Sequence, residues 1–169
     1  MEAFAIRQAV FEADDPARFL ARIRRIGERH RTRIICLDAD RLAGRAHAEA
    51  AVRGALRSVE GGNPIANSLE MEALLYAAGS RQCSVATRFG IHAGVNRSYV
   101  ILVPPVAAAW DALAGCMGFV DRDWDRLTDE KMRWLSEAFA ITEEELSTTG
   151  RDRFRDLVLE RVALLAVSR

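Results

Sequence analysis

Lysine is almost missing from this chain of 169 residues: of its 24 basic side chains, only Lys131 is not arginine. Arginine offers a planar fork that grips phosphate and stacks on bases, where lysine offers a point charge. The same bias also arises from genome composition, and charge runs usually face water. Cysteine is scarce too. Cys36, Cys83 and Cys116 are odd in number, scattered, and without CxxC or Cys/His ligand spacing, which argues against a disulfide framework and a structural zinc. They read as reduced, mostly buried thiols. No apolar run approaches the eighteen residues of a membrane span, and Met1-Glu2-Ala3-Phe4-Ala5 lacks the basic region of a signal peptide, so a cytoplasmic protein without membrane contact is expected.

Chemical motifs are equally sparse. The chain has no Walker loop, dinucleotide glycine fingerprint, GxSxG elbow or HExxH. Asp121-Arg122-Asp123-Trp124-Asp125 opens like a calcium loop, but Arg126 stands where the turn glycine belongs and Met132 where the bidentate glutamate belongs. His30, His47 and His92 are far apart in sequence. The expectation is a protein with no catalytic residue, no metal and no cofactor.

What is present is ample apolar content, 50% of the residues, enough for one compact domain over residues 1–169. Formal net charge is zero, yet residues 1–60 sum to +3, residues 61–105 to +1 and residues 106–169 to −4. A first strand is expected over 4–11, then a helix over 16–30 opened by Asp14-Asp15-Pro16. On that helix Phe19, Leu20, Ile23 and Ile26 form an apolar stripe, while Arg18, Arg22, Arg25 and Arg29 recur on another face. A β-rich run over 33–37 predicts a second strand, and the alanine-rich stretch 42–59 a helix stopped by Gly61-Gly62-Asn63-Pro64. Asn67 or Ser68 caps the next helix, which Gly79 ends; Ser80 caps a short one through Phe89. The continuous apolar run to Val103 before Pro104-Pro105 reads as a central strand. Helices follow around 106–114, over 128–139, a turn capped by Thr142 with Glu145 in reciprocal position, and over 152–166. The fold expected is α/β, a single helix-rich domain with a small mixed β-sheet packed by helices.

The segment 64–92 holds the least ordinary residues. Neither capping nor packing asks for the Arg81-Gln82 pair in the first turn of a helix, where a positive charge opposes the macrodipole by roughly 0.3–1 kcal/mol. A bound phosphate or an internal carboxylate, Glu72 among the choices, would offset that. Glu72 itself reads as a helix-flank or interhelical hydrogen-bonding group; a rival reading makes it a catalytic base with His47 or His92. A second rival is a purely structural scaffold without RNA contact.

Pro64-Ile65-Ala66-Asn67-Ser68, Met71-Glu72, Leu74-Leu75, Gly79-Ser80-Arg81-Gln82, Ala86, Phe89-Gly90 and Leu159-Glu160-Arg161-Val162-Ala163-Leu164-Leu165 resemble the small kinase-binding accessory subunit of the KEOPS complex, in its archaeal form. Within that motif Asn67, Ser68, Glu72, Gly79, Arg81 and Gln82 stand out. The resemblance implies a subunit without chemistry of its own. It would dock on the small kinase/ATPase subunit and recruit tRNA through its single-stranded CCA tail. A separate threonylcarbamoyl-transferase subunit would install N6-threonylcarbamoyladenosine. A tail needs phosphate donors and apolar or planar surfaces, since stacking contributes roughly 1–3 kcal/mol per base. Arg81, Gln82, Arg88, Phe89, Ile91 and His92 are the candidates for it. Surplus apolar residues make the helices over 42–59 and 152–166 candidates for the kinase, with Val52, Leu56, Leu157, Arg161 and Leu164 as contacts.

Overall fold

A computed structural model describes residues 3–167. The chain runs β1 (Ala5–Ala13), α1 (Pro16–His30), β2 (Arg33–Asp38), α2 (Arg45–Glu60), α3 (Leu69–Ala78), α4 (Cys83–Ala86), β3 (Gly94–Val103), α5 (Ala107–Leu113), β4 (Gly118–Val120), α6 (Asp129–Ala138), α7 (Glu143–Thr149) and α8 (Phe154–Val167). It is an α/β chain, helix-rich, around one four-stranded sheet. The chain divides into two compact units: one formed by the segment ending at Asp38 with Gly90–Arg122, the other by Ala39–Phe89 with the segment from Asp123 onward.

The first unit holds the sheet, in the order β2-β3-β1-β4. Every pairing is antiparallel, with Ile6 opposite Ile101, Ile35 opposite Ile101 and Ala9 opposite Phe119. The expected mixed sheet is therefore corrected to a purely antiparallel one. Strand direction depends on how the connections cross, which residue patterns do not encode. β3 is central as its apolar run requires, and Tyr99, Val100, Ile101 and Leu102 are wholly buried. One sheet face, carrying Ala9, Phe11, Ile34, Cys36, Val100 and Leu102, packs against Ile23 of α1 and Trp110 and Leu113 of α5. Phe19 of α1 stacks on Phe11 with ring centroids 4.4 Å apart. The entry to α1 is built as its sequence demands: Asp15 accepts from the Arg18 N–H at 3.2 Å, with proline in the first turn. Burial pushes the Cys36 thiol up to about 12, against a weaker opposing hydrogen bond from Ser98, so this thiol is inert.

The second unit is helical. Here α2, α3 and α8 pack on one another, and the approach of α2 to α3 is close because Gly54 faces the Tyr76 ring. Ser68 caps α3 by accepting from the Met71 N–H at 3.2 Å, which settles the choice between Asn67 and Ser68. Gly79 closes α3 in the left-handed region, φ 59°, with the Ser80 N–H donating to the Leu75 carbonyl at 3.1 Å. A Cβ there would lie 3.3 Å from the Arg161 carbonyl, so this glycine also admits α8. Asp125 accepts from the Arg45 N–H at 2.8 Å at the start of α2, and Arg155 of α8 donates to the carbonyls of Ala43, at 2.7 Å, and Asp125. The acidic run 121–125 thus contributes a helix start. Among the described residues no helix is long and apolar enough to cross a membrane.

Candidate functional site

The residues expected to meet RNA fall into both units. In the second, the chain leaving α3 exposes Arg81, Gln82 and Arg88, and the Ser80 hydroxyl accepts from the Gln82 N–H at 3.1 Å. The helix expected over 80–89 is corrected: only four residues, Cys83–Ala86, are α-helical, and Gln82 at its start makes no side-chain cap bond. So short a helix has little dipole to offer an anion. Phe89 is corrected more sharply. It is 1% exposed, its ring edge-on to Trp134 at 5.2 Å and to Phe139 at 6.0 Å, and it supports the surface from below.

Two residues that the sequence reading missed complete this face. The guanidinium carbon of Arg41 lies 4.7 Å from the Trp134 ring centroid and that of Arg88 lies 5.4 Å away. Arg41 Nη1 also donates to the Arg88 carbonyl at 3.1 Å. A half-buried indole is thus flanked by two cations and held by Phe89 beneath it, the combination of planar surface and phosphate donors that a single strand requires. No local signal announced it, because Trp134 reads as one more member of an amphipathic helix and Arg41 as a turn residue.

Ile91 and His92 belong to the first unit. Ile91 is half-buried against the sheet core, whereas His92 is exposed, with Nδ1 2.8 Å from the Ala93 carbonyl and Nε2 3.6 Å from the buried Asp38 carboxylate.

Glu72 and His47 are architectural. Glu72 is fully buried and accepts from Ser58 Oγ at 2.7 Å, the Ile65 N–H at 3.1 Å and the Ala66 N–H at 2.7 Å. It ties α3 to α2 and pins the loop between them, the interhelical role its position suggested. His47, also fully buried, accepts at Nδ1 from the Ala43 N–H at 2.9 Å and donates from Nε2 to the Ala77 carbonyl at 2.8 Å. Those two partners fix a neutral tautomer. Burial lowers its pKa to about 4 against the opposing Ala77 bond, with Lys131 adding to the lowering. Both groups are wholly buried and engaged in holding the fold.

The helices expected to meet the kinase line a groove of about 320 Å³ between α2 and α8, walled by Ala50, Arg53 and Arg57 on one side and by Leu159 and Ala163 on the other, with Tyr76 in it. Leu164 is 50% exposed and Leu56 half-buried. Val52 and Leu157 are corrected from contact residues to core, at 0% and 6% exposure. Arg161 is corrected as well. Its guanidinium grips both Glu145 oxygens at 2.7 and 2.8 Å, and its Nε donates to the Phe139 carbonyl at 3.2 Å. That hydrogen bond raises the Arg161 pKa and lowers that of Glu145. Thr142 caps α7 by accepting from the Glu145 N–H, but the Glu145 carboxylate turns to Arg161 rather than completing a reciprocal cap. The cysteines divide: Cys36 is buried, Cys116 half-buried and Cys83 exposed.

Compared with known proteins, the chain matches no family model, and no curated protein matches it.

Proposed function

We propose that this chain is a non-catalytic accessory subunit of a KEOPS-type tRNA modification complex, binding the CCA tail of tRNA and docking on the small kinase/ATPase subunit. Through those two contacts it serves the threonylcarbamoyl-transferase subunit, in the cytoplasm where tRNA is modified. The observation that carries the tRNA half is the Trp134 face. An indole flanked by Arg41 and Arg88, continuous in the chain with exposed Arg81 and Gln82, combines stacking and phosphate recognition on one helical unit. Trp134 takes the place of Phe89 as the planar surface of that face. The kinase half rests on the resemblance, together with the exposed apolar flank of α8 at Leu164 and Val167, 50% and 78% exposed.

The test is a titration of the full chain with intact tRNA and with the same tRNA lacking its terminal CCA. Intact tRNA binds weakly and in a salt-dependent manner, the truncated form loses most of the affinity, and Arg81→Glu and Trp134→Ala each weaken the intact complex at a temperature where both variants remain folded. Equal affinity for both tRNAs would overturn the tail reading. A lower midpoint without an RNA defect in Arg81→Glu would make that arginine architectural.

A further inference from the structure

We propose that the arginine stripe of α1 is a docking surface for the sugar–phosphate backbone of double-stranded RNA. On an ideal helix Arg18, Arg22, Arg25 and Arg29 fall within an arc of about 60°, spread over about 16 Å along the axis. All four are exposed, and no described residue forms a hydrogen bond, ion pair or ring contact with any of their guanidiniums. The opposite side of α1 is committed to the core through Ile23, Gly27 and Phe19, so the stripe is held rigidly outward. The helix carries one acid, Glu28, which borders the stripe three residues after Arg25, and its first turn carries none, although Asp14 and Asp15 stand just before it with Asp15 engaged in capping the helix.

Four cations in a row that no described residue pairs cost repulsion unless something anionic and repetitive meets them. A duplex strand is such a ligand. Its phosphates advance by about 3.4 Å along the axis per nucleotide in B-form DNA, of the same order in RNA, so a 16 Å stripe spans several phosphates of one strand. The guanidinium fork suits them. A single strand is a poorer fit, since the stripe has no exposed ring on which a base could stack: Phe19 is half-buried against Phe11. A lipid surface fits worse, because Ile23 and Phe19 already pack in the protein and Leu20, exposed on the same helix, lies on the side turned away from the arginines, so no apolar wedge accompanies the stripe. This contact would be sequence-independent and chemically separate from the tail site. It rests on the preceding reading only in taking RNA as the partner.

The experiment titrates the full chain against a blunt-ended RNA duplex, and separately against a single-stranded RNA ending in CCA, over a range of salt. The duplex should bind with a log–log salt slope of about −4, and the double variant R22E/R25E should bring it to about −2 with at least tenfold weaker binding. R24E removes the same kind of charge from outside the stripe and should leave the slope in place. The CCA strand should bind R22E/R25E as it binds the parent chain. Failure of the CCA strand to bind, with the duplex result intact, would sink the tail reading and spare this one. An unchanged duplex slope in R22E/R25E, an equal effect of R24E, or displacement of the duplex by polyglutamate at equal charge would overturn the proposal.

Discussion

His47 shows how much one side chain decides. Enclosed between the Ala43 N–H and the Ala77 carbonyl, it stays neutral in the fold, with a pKa lowered to about 4 from 6.5. Because the folded value is the lower one, the unfolded chain takes up the proton first. The stabilisation is therefore fully present above pH 6.5, is lost as pH falls from there toward 4, and changes no further below that. The size of the shift puts the total near 3 kcal/mol. Urea midpoints at pH 7, 5.5 and 4.5, read from tryptophan fluorescence in a Trp110→Phe background so that Trp124 and Trp134 of the same unit report, should fall accordingly. His47→Gln keeps a donor and an acceptor but cannot titrate. It should start less stable at pH 7 and flatten the acid limb, and parallel pH profiles for the two proteins would contradict the assignment. Little of this was legible beforehand. A lone histidine in an alanine-rich helix carries no mark of burial, and the pattern left Glu72 open between a helix-flank and an interhelical group, a choice that its burial against Ser58 decides.

At the scale of elements, the segments with strong local signals were the ones read well. Asp15-Pro16 and an unbroken 3.6-residue period placed α1 at Pro16–His30, and Ser68 with Gly79 bounded α3. β4 was missed. Gly118–Val120 is three residues long and is held by pairing to β1 and by Gln8, which donates to the Arg122 carbonyl at 3.0 Å and accepts from its N–H at 2.7 Å, contacts between distant positions. The division into two units was equally illegible, since each unit draws on two stretches of chain and no linker composition marks the changeovers. Gly54 is the sharpest case. Within a helix, Gly→Ala ordinarily stabilises by about 1 kcal/mol. At this position the added Cβ would meet Tyr76 at Cδ1 and, 2.8 Å away, at Cε1, and a packed ring cannot give way without moving α3 from α2. Overpacking of that kind costs about 1–3 kcal/mol, so the clash wins. Gly54→Ala should therefore lower stability in urea unfolding; a gain would mean that the helices separate at no cost.

For the whole molecule, zero formal charge conceals an uneven distribution: an arginine-rich first third, an acidic final third, and cations drawn from both around Trp134 and Glu145. Composition showed the asymmetry but not where the charges meet, because the Trp134 face joins residues from three separate segments and Arg161 pairs with Glu145. If the second unit presents RNA contacts on one surface and the kinase contact on another, single substitutions should separate them. Leu164 is half exposed on α8, and placing a charge there imposes desolvation on any apolar contact while leaving the core residues Val158, Val162 and Leu165 in place. Leu164→Glu should therefore weaken association with the kinase subunit about tenfold or more, as expected for an interface residue worth over 1 kcal/mol, and leave tRNA affinity intact. Trp134→Ala should do the reverse. Co-purification with the kinase and tRNA titration, each run on both variants alongside thermal unfolding, give four binding outcomes to compare. Loss of both functions in either variant, at a temperature where thermal unfolding shows it to be folded, would mean that one surface serves both partners and that recruitment of tRNA and attachment to the kinase compete.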